Sequence, residues 1–212
     1  MTRPGEHDFP VRSATDLYSG RVMALRSDRV VMPGGRVTTR EILEHPGAVA
    51  VVAVDEQRRV RMLHQYRHAV RRRLWELPAG LLDVAGEDPA VTADRELTEE
   101  AGLTAADWAV LLDVVPSPGF SDESVRIFLA RDLAERPRPV LGDDEEADLE
   151  LRWIALDDAV RMVFTGDIVN AVSCAGLLAA RAVFAGEAEP RPIGTPWEDR
   201  PERFARRRDG DD

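Results

Sequence analysis

Residues 86–103, GEDPAVTADRELTEEAGL, carry six acidic side chains within fourteen positions: Glu87, Asp88, Asp94, Glu96, Glu99 and Glu100. Like charges at helical spacing weaken a helix by about 0.2–0.5 kcal/mol per pair, so a function for the charge is expected. Glu96 and Glu100 are i,i+4 neighbours, which places their Cβ atoms about 5–6 Å apart on one face. Glu99 stands beside them. Carboxylates grouped in this way form a hard-oxygen cluster suited to Mg²⁺ or Mn²⁺. Arg95, i,i+4 to Glu99, is spaced to hold that carboxylate. A merely solvated acidic helix would have the same composition. It would not explain the glycine-bracketed loop PAGLLDVAGE before the helix, with a further glutamate, Glu87, at its end.

The elements that position these residues can be read from either side. Asp88 is a good N-cap and Pro89 sits at the first helical position, where its missing N–H does no harm. Gly102 supplies a left-handed C-cap, so the helix is expected over 89–101. Ala90, Leu97 and Ala101, with Val91 near the edge, form its apolar side, and Glu96, Glu99 and Glu100 lie opposite. Upstream, GRVMALRSDRVVM and RVTTREILEH flank a PGG turn and read as an antiparallel hairpin. GAVAVVAV reads as a strand buried on both faces. RVRMLHQYR is expected to pair back on it, and RLWELPAG adds a short strand. Downstream, WAVLLDVV and SVRIFLARDL read as strands separated by the loop PSPGFSDE. ELRWIAL leads into the helix DDAVRMVFTG, and an apolar helix surrounds Cys174. The expected fold is mixed α/β (α+β), with an additional N-terminal antiparallel hairpin. Residues 1–44 are read as N-terminal strands, 45–187 as the main domain and 188–212 as a loosely ordered tail.

The helix and its loop resemble the Nudix hydrolase signature: Gly80, Glu87, Arg95, Glu96, Leu97, Glu99, Glu100, Gly102 and Leu103 match its fixed positions. The spacing departs at one point, with six residues rather than five between Gly80 and Glu87. That resemblance implies an α/β/α sandwich with a mixed central sheet, and hydrolysis of a diphosphate with the help of divalent metal. It implies Glu96 and Glu100 as metal ligands, Glu99 as shared between metal and catalysis, Arg95 as its partner, and the Ala79 carbonyl as a further ligand. Outside the motif, residues 15–185 are most similar to ADP-ribose pyrophosphatases. Pro118, sixteen positions after Gly102, matches a proline of that subfamily, although a strand-ending turn would use Pro-Gly equally well. By the same resemblance Arg40, Arg67 and Glu76 are substrate-binding candidates, Glu76 either contacting the terminal ribose or tethering an arginine. Trp75 reads as core packing. The segment LGDDEEADLE aligns with a catalytic loop, with Glu146 as the general base and Glu145 as second choice. A homodimer with exchanged N-terminal strands and shared active sites is implied. Other nucleoside diphosphate derivatives (sugar nucleotides, oxidised nucleotides) remain open, as does a non-catalytic ADP-ribose sensor. The intact glutamates favour an enzyme.

Composition sets the bounds. A chain of 212 residues supports one well-buried domain. A formal charge of −11 argues against nucleic acid as a partner, because a phosphate backbone would be repelled. All 28 basic residues are arginines. The single cysteine excludes an internal disulfide and fits a reducing compartment. No signal peptide is recognised, and the run 168–184 is too short and polar for a membrane span. A cytoplasmic location is expected.

Overall fold

The computed structural model describes residues 6–84, 86–138 and 148–209. Glu145 and Glu146 lie outside the described residues. The chain forms two compact units: Met1–Gly47 with Ser117–Ser124 and Arg200–Asp212, and Ala48–Pro116 with Val125–Asp199.

The second unit holds the acidic helix. Its strands are β4 (Ala48–Ala53), β5 (Arg59–Arg67), β6 (Arg72–Glu76), β7 (Ala79–Leu81), β8 (Leu103–Val114), β9 (Val125–Glu135), β10 (Glu150–Ala155) and β11 (Arg191–Pro192). Its helices are α1 (Pro89–Ala101), α2 (Leu156–Thr165) and α3 (Ala171–Phe184). A five-stranded sheet runs β11-β8-β9-β4-β7, and a three-stranded sheet runs β10-β5-β6. β4 and β9 are parallel and the other pairs antiparallel, so the larger sheet is mixed.

β4 explains the sandwich. Its side chains alternate faces, and both faces are apolar. Ala50 and Val52 pack with Leu177 and Ala180 of α3 and Ala159 of α2. Val49, Val51 and Ala53 pack with Ala93, Leu97 and Ala101 of α1. Helices therefore cover both sides of the five-stranded sheet, the α/β/α arrangement expected. The expected β4–β5 hairpin does not form. The chain reverses where Asp55 accepts from the backbone N–H of Gln57 and Arg59, but only the bridge Val54–Val60 follows. Both edges of β4 are already taken, by β9 and β7, so β5 joins β10 and β6. Cys174 reads as structural: burial pushes its thiol pKa up, and Sγ donates to the Ile168 carbonyl at 3.4 Å.

In the first unit, β1 (Val11–Ser19), β2 (Ala24–Val31) and β3 (Val37–Glu44) form an antiparallel sheet in chain order. The β2–β3 hairpin turns at PGG as expected, with Gly35 at φ 79°. β1 was not expected. Every one of its residues is exposed, so it has no buried face to leave an apolar alternation in the sequence.

The C-terminal segment corrects the expectation of loose order. Helix α4 (Arg203–Asp209) buries Phe204 to 1% exposure, and Glu44, at 0%, pairs with Arg26, Arg203 and Arg207. Composition hid this, because arginines and acids that neutralise one another in a packed cluster look like a solvated tail. Among the described residues no helix is long and apolar enough to cross a membrane.

Candidate active site

The caps of α1 form as the sequence predicts. Asp88 accepts from Ala90 N–H at 2.8 Å, and Gly102 adopts the left-handed conformation at φ 67°. Gly102 is needed twice over, since a Cβ there would also come within 3.1 Å of the Arg136 carbonyl oxygen. The packing side differs from the expected arc. Thr92 and Ala93 are buried while Val91 is 56% exposed. Glu100, expected on the polar side, is only 6% exposed. It is buried because its carboxylate accepts from the backbone N–H of Ala79 at 2.8 Å, tying the last turn of α1 to β7.

The other carboxylates gather around Arg95. One terminal nitrogen, Nη1, donates to Glu96 at 2.7 Å and to Glu99 at 3.2 Å. The other, Nη2, donates to Glu87 at 3.3 Å and lies 3.8 Å from Asp83. Burial works against the Arg95 charge, but Glu96, Glu87 and Glu99 outweigh it and hold its pKa above the ordinary guanidinium value. The Glu87 carboxyl is held below the usual carboxylate range, first by the Thr92 hydroxyl, which donates to it at 2.7 Å, and then by Arg95. Thr92 and Asp83 escaped the sequence reading. Thr92 carried a signal, five residues after Glu87 across the helix cap.

Gly80 explains the start of the motif. It pairs with Val49 in the centre of the sheet edge, and a Cβ on it would overlap the Glu96 carboxyl group. Only glycine lets Glu96 lie flat against β7. Ala79, Gly80, Glu96, Glu99, Glu100 and Arg95 therefore converge where the sequence places them. Among the described residues no three acidic, histidine or cysteine side chains form a ready-made metal cage. Glu100 is turned to Ala79, and Glu96 and Glu99 are turned to Arg95. The donor set nevertheless fits a hard divalent cation: carboxylates on one side of one helix, seated over a strand with no side chain in the way.

Arg67 and Glu76 are also brought together. Glu76, 3% exposed, accepts from Arg67 Nη2 at 2.7 Å and from Gln65 at 3.2 Å. Of its two expected roles, tethering an arginine is the one with this geometry. Trp75, half-buried, packs against the core and stacks on His64 with centroids 4.5 Å apart. Arg40 and Pro118 belong to the first unit, where both are exposed. Glu146 lies outside the described residues.

Comparison with known proteins gives the family. The NUDIX domain profile matches residues 43–171. The chain is 55% identical over 203 residues to the ADP-ribose pyrophosphatase of Mycobacterium tuberculosis, covering 96% of this chain and 98% of that one. It is 40% identical over 147 residues to the methanol dehydrogenase activator of Bacillus methanolicus, covering 69% and 78%. A crystal structure of an ADP compounds hydrolase superposes with a TM-score of 0.74 at 21% identity, covering 86% of this chain and 97% of that one, a likeness of fold. With the profile spanning the sheet, the acidic helix and Gly80 alike, the chain belongs to the Nudix family.

Proposed function

We propose that this protein is a divalent-metal-dependent ADP-ribose pyrophosphatase, converting ADP-ribose and water to AMP and ribose 5-phosphate. The observation that carries the reading is the carboxylate face of α1 closed over Gly80, and the 55% identity to an ADP-ribose pyrophosphatase supports the substrate.

In this reading Glu96, Glu100 and the Ala79 carbonyl hold Mg²⁺, with Mn²⁺ as a substitute, and Glu99 is shared. When bound, the cation neutralises the diphosphate, polarises phosphorus and lowers the pKa of a water. Arg95 holds the carboxylates in register and offsets their mutual repulsion. Arg67, fixed by Glu76, presents a guanidinium to the diphosphate or its ribose. Arg40 and Pro118 complete the substrate site, Arg40 from the neighbouring subunit of a homodimer. Glu146, uncommitted to metal and so more basic than the ligands, takes the proton from the attacking water. The location is cytoplasmic.

Another nucleoside diphosphate derivative is the competing substrate class. A non-catalytic sensor is disfavoured by the complete glutamate set. A hydrolysis screen with Mg²⁺ over ADP-ribose, sugar nucleotides and oxidised nucleotides, with product identification, separates them. ADP-ribose should be turned over most efficiently. Preference for another diphosphate would replace the substrate assignment, and no turnover of any would favour the sensor.

A further inference from the structure

Leu77 and Pro78 carry the chain from the smaller sheet to the larger one. Glu76 at the end of β6 pairs with Leu63, and Ala79 at the start of β7 pairs with Ala50. Between the two ladders a buried backbone N–H must find a partner elsewhere. Leu77 is buried, and its N–H donates to Ser173 Oγ of α3 at 3.0 Å. Pro78 has no N–H to satisfy, and its carbonyl accepts from Val51 N–H at 2.8 Å. That bond sets the phase of the β4–β7 pair. Hydrogen-bonded and non-hydrogen-bonded pairs alternate in an antiparallel ladder, so Pro78 and Gly80 turn their polar backbone groups towards β4. Ala79, between them, turns its N–H and its carbonyl away from β4, to the side where Glu100 accepts from that N–H.

Ser173 is placed for this contact. It carries the single hydroxyl of AVSCAGLLAARAVF and is itself buried, where a hydroxyl without a partner would be a cost. Its own N–H is taken by the side chain of Asn170, the N-cap of α3, at 2.9 Å, so the start of the helix does not need the hydroxyl. Nearly one turn on, Gly176 lets α3 come close. A Cβ there would lie 2.9 Å from Leu77 Cδ1 and 3.0 Å from Val52 Cγ2. The crossing is thus held by β4 through Pro78 and by α3 through Leu77, immediately before the carbonyl of Ala79.

We propose that Ser173 is a positioning residue for the metal site: by holding Leu77 N–H it fixes the Leu77–Pro78 crossing, and with it the direction of the Ala79 carbonyl. The inference rests on the proposed function, in which that carbonyl is a metal ligand.

Calorimetric titration of the full chain with Mn²⁺, in the absence of substrate, tests it. Ser173→Ala should weaken Mn²⁺ binding about tenfold, the lower end of what a partner of a metal ligand contributes. The Mg²⁺ concentration for half-maximal turnover should rise by the same factor. Ser173→Thr keeps the hydroxyl and should recover most of the affinity. Ser173→Cys, close in size but a weaker acceptor, should fall between, and serves as the measure if the alanine variant does not fold. Ile168→Val removes one methylene from the same core and reports what loss of packing alone does. It should lower the melting temperature and leave Mn²⁺ affinity as in the wild type. Unchanged Mn²⁺ binding in a folded Ser173→Ala, no recovery with threonine, or an equal loss in Ile168→Val would overturn the positioning role while leaving the metal-dependent reading in place. A wild-type chain that binds no Mn²⁺ would overturn that reading, and Ser173's role with it.

Discussion

Gly80 shows how one missing side chain can position a charged one. Because any Cβ there would overlap the Glu96 carboxyl, Gly80→Ala should displace Glu96 while leaving the sheet paired. The expected result is a fall in kcat of about 10- to 100-fold with a melting temperature within a few degrees of wild type. A variant with unaltered turnover would place Glu96 outside the reaction. Glu100 makes the complementary case. Its carboxylate accepts from Ala79 N–H, an interaction that a glutamine oxygen can preserve. Glu100→Gln should therefore keep the circular dichroism spectrum and lose metal-dependent turnover by about 10²-fold or more. Restoration by excess Mn²⁺ would point to weakened metal affinity. Full activity in ordinary Mg²⁺ would remove Glu100 from the ligand set.

Between elements, the C-terminal segment is held by a buried cation. Arg126 of β9, 4% exposed, donates to Asp113 at 2.7 and 3.1 Å, to the Thr195 carbonyl at 2.7 Å and to the Pro196 carbonyl at 3.0 Å. Its guanidinium faces Trp197, 5.0 Å from the ring centroid. Removing one partner of a buried ion pair costs about 3–5 kcal/mol. Arg191 also reaches Asp113, at 3.0 Å, so Arg126→Met should destabilise by somewhat less, about 2–3 kcal/mol in urea unfolding. A loss under 1 kcal/mol would mean that the segment is not anchored there. Glu44 makes a similar clasp in the first unit. Burial works to raise its pKa, but Arg207 and Arg26 outweigh this and hold it below the usual 4.5. A depressed carboxylate stabilises the fold above its unfolded value, and the benefit disappears as pH falls through its folded value. Stability of the wild type should therefore drop below pH 4.5, and Glu44→Gln should be weaker at neutral pH but show a shallower acid decline across urea midpoints. These clasps mark the limit of what could be read from residue order. The caps of α1, the double-sided strand β4 and the carboxylate spacing are local patterns, and all three were legible. Arg126 and Arg207 meet partners about seventy and more residues away along the chain, and such pairings leave no local pattern. Strand β1 lacked one for a different reason: both of its faces are exposed in the single chain, so no apolar alternation marks it.

At the scale of the whole molecule, the first unit exposes a long edge. Among the described residues β1 pairs with β2 alone, and Val11, Leu17 and Tyr18 along it are each more than half exposed. A strand with an open edge invites pairing with another chain, which supports the proposed homodimer. In that assembly Arg40, also exposed on this sheet, serves the partner's active site while Glu100 serves its own. The arrangement makes a prediction that a self-contained site does not share. Arg40→Ala and Glu100→Gln should each be nearly inactive alone. When the two variants are co-expressed and reassorted, half of the dimers are mixed, and each mixed dimer contains one site with neither substitution. Activity should return to about one quarter of wild type, as expected for an interface with two-fold symmetry. Light scattering on the same sample should give twice the chain mass. If each chain instead built its site alone, every site in the mixture would carry one defect and no activity would return. That result, or an active monomer, would assign Arg40 to its own chain's site or to none.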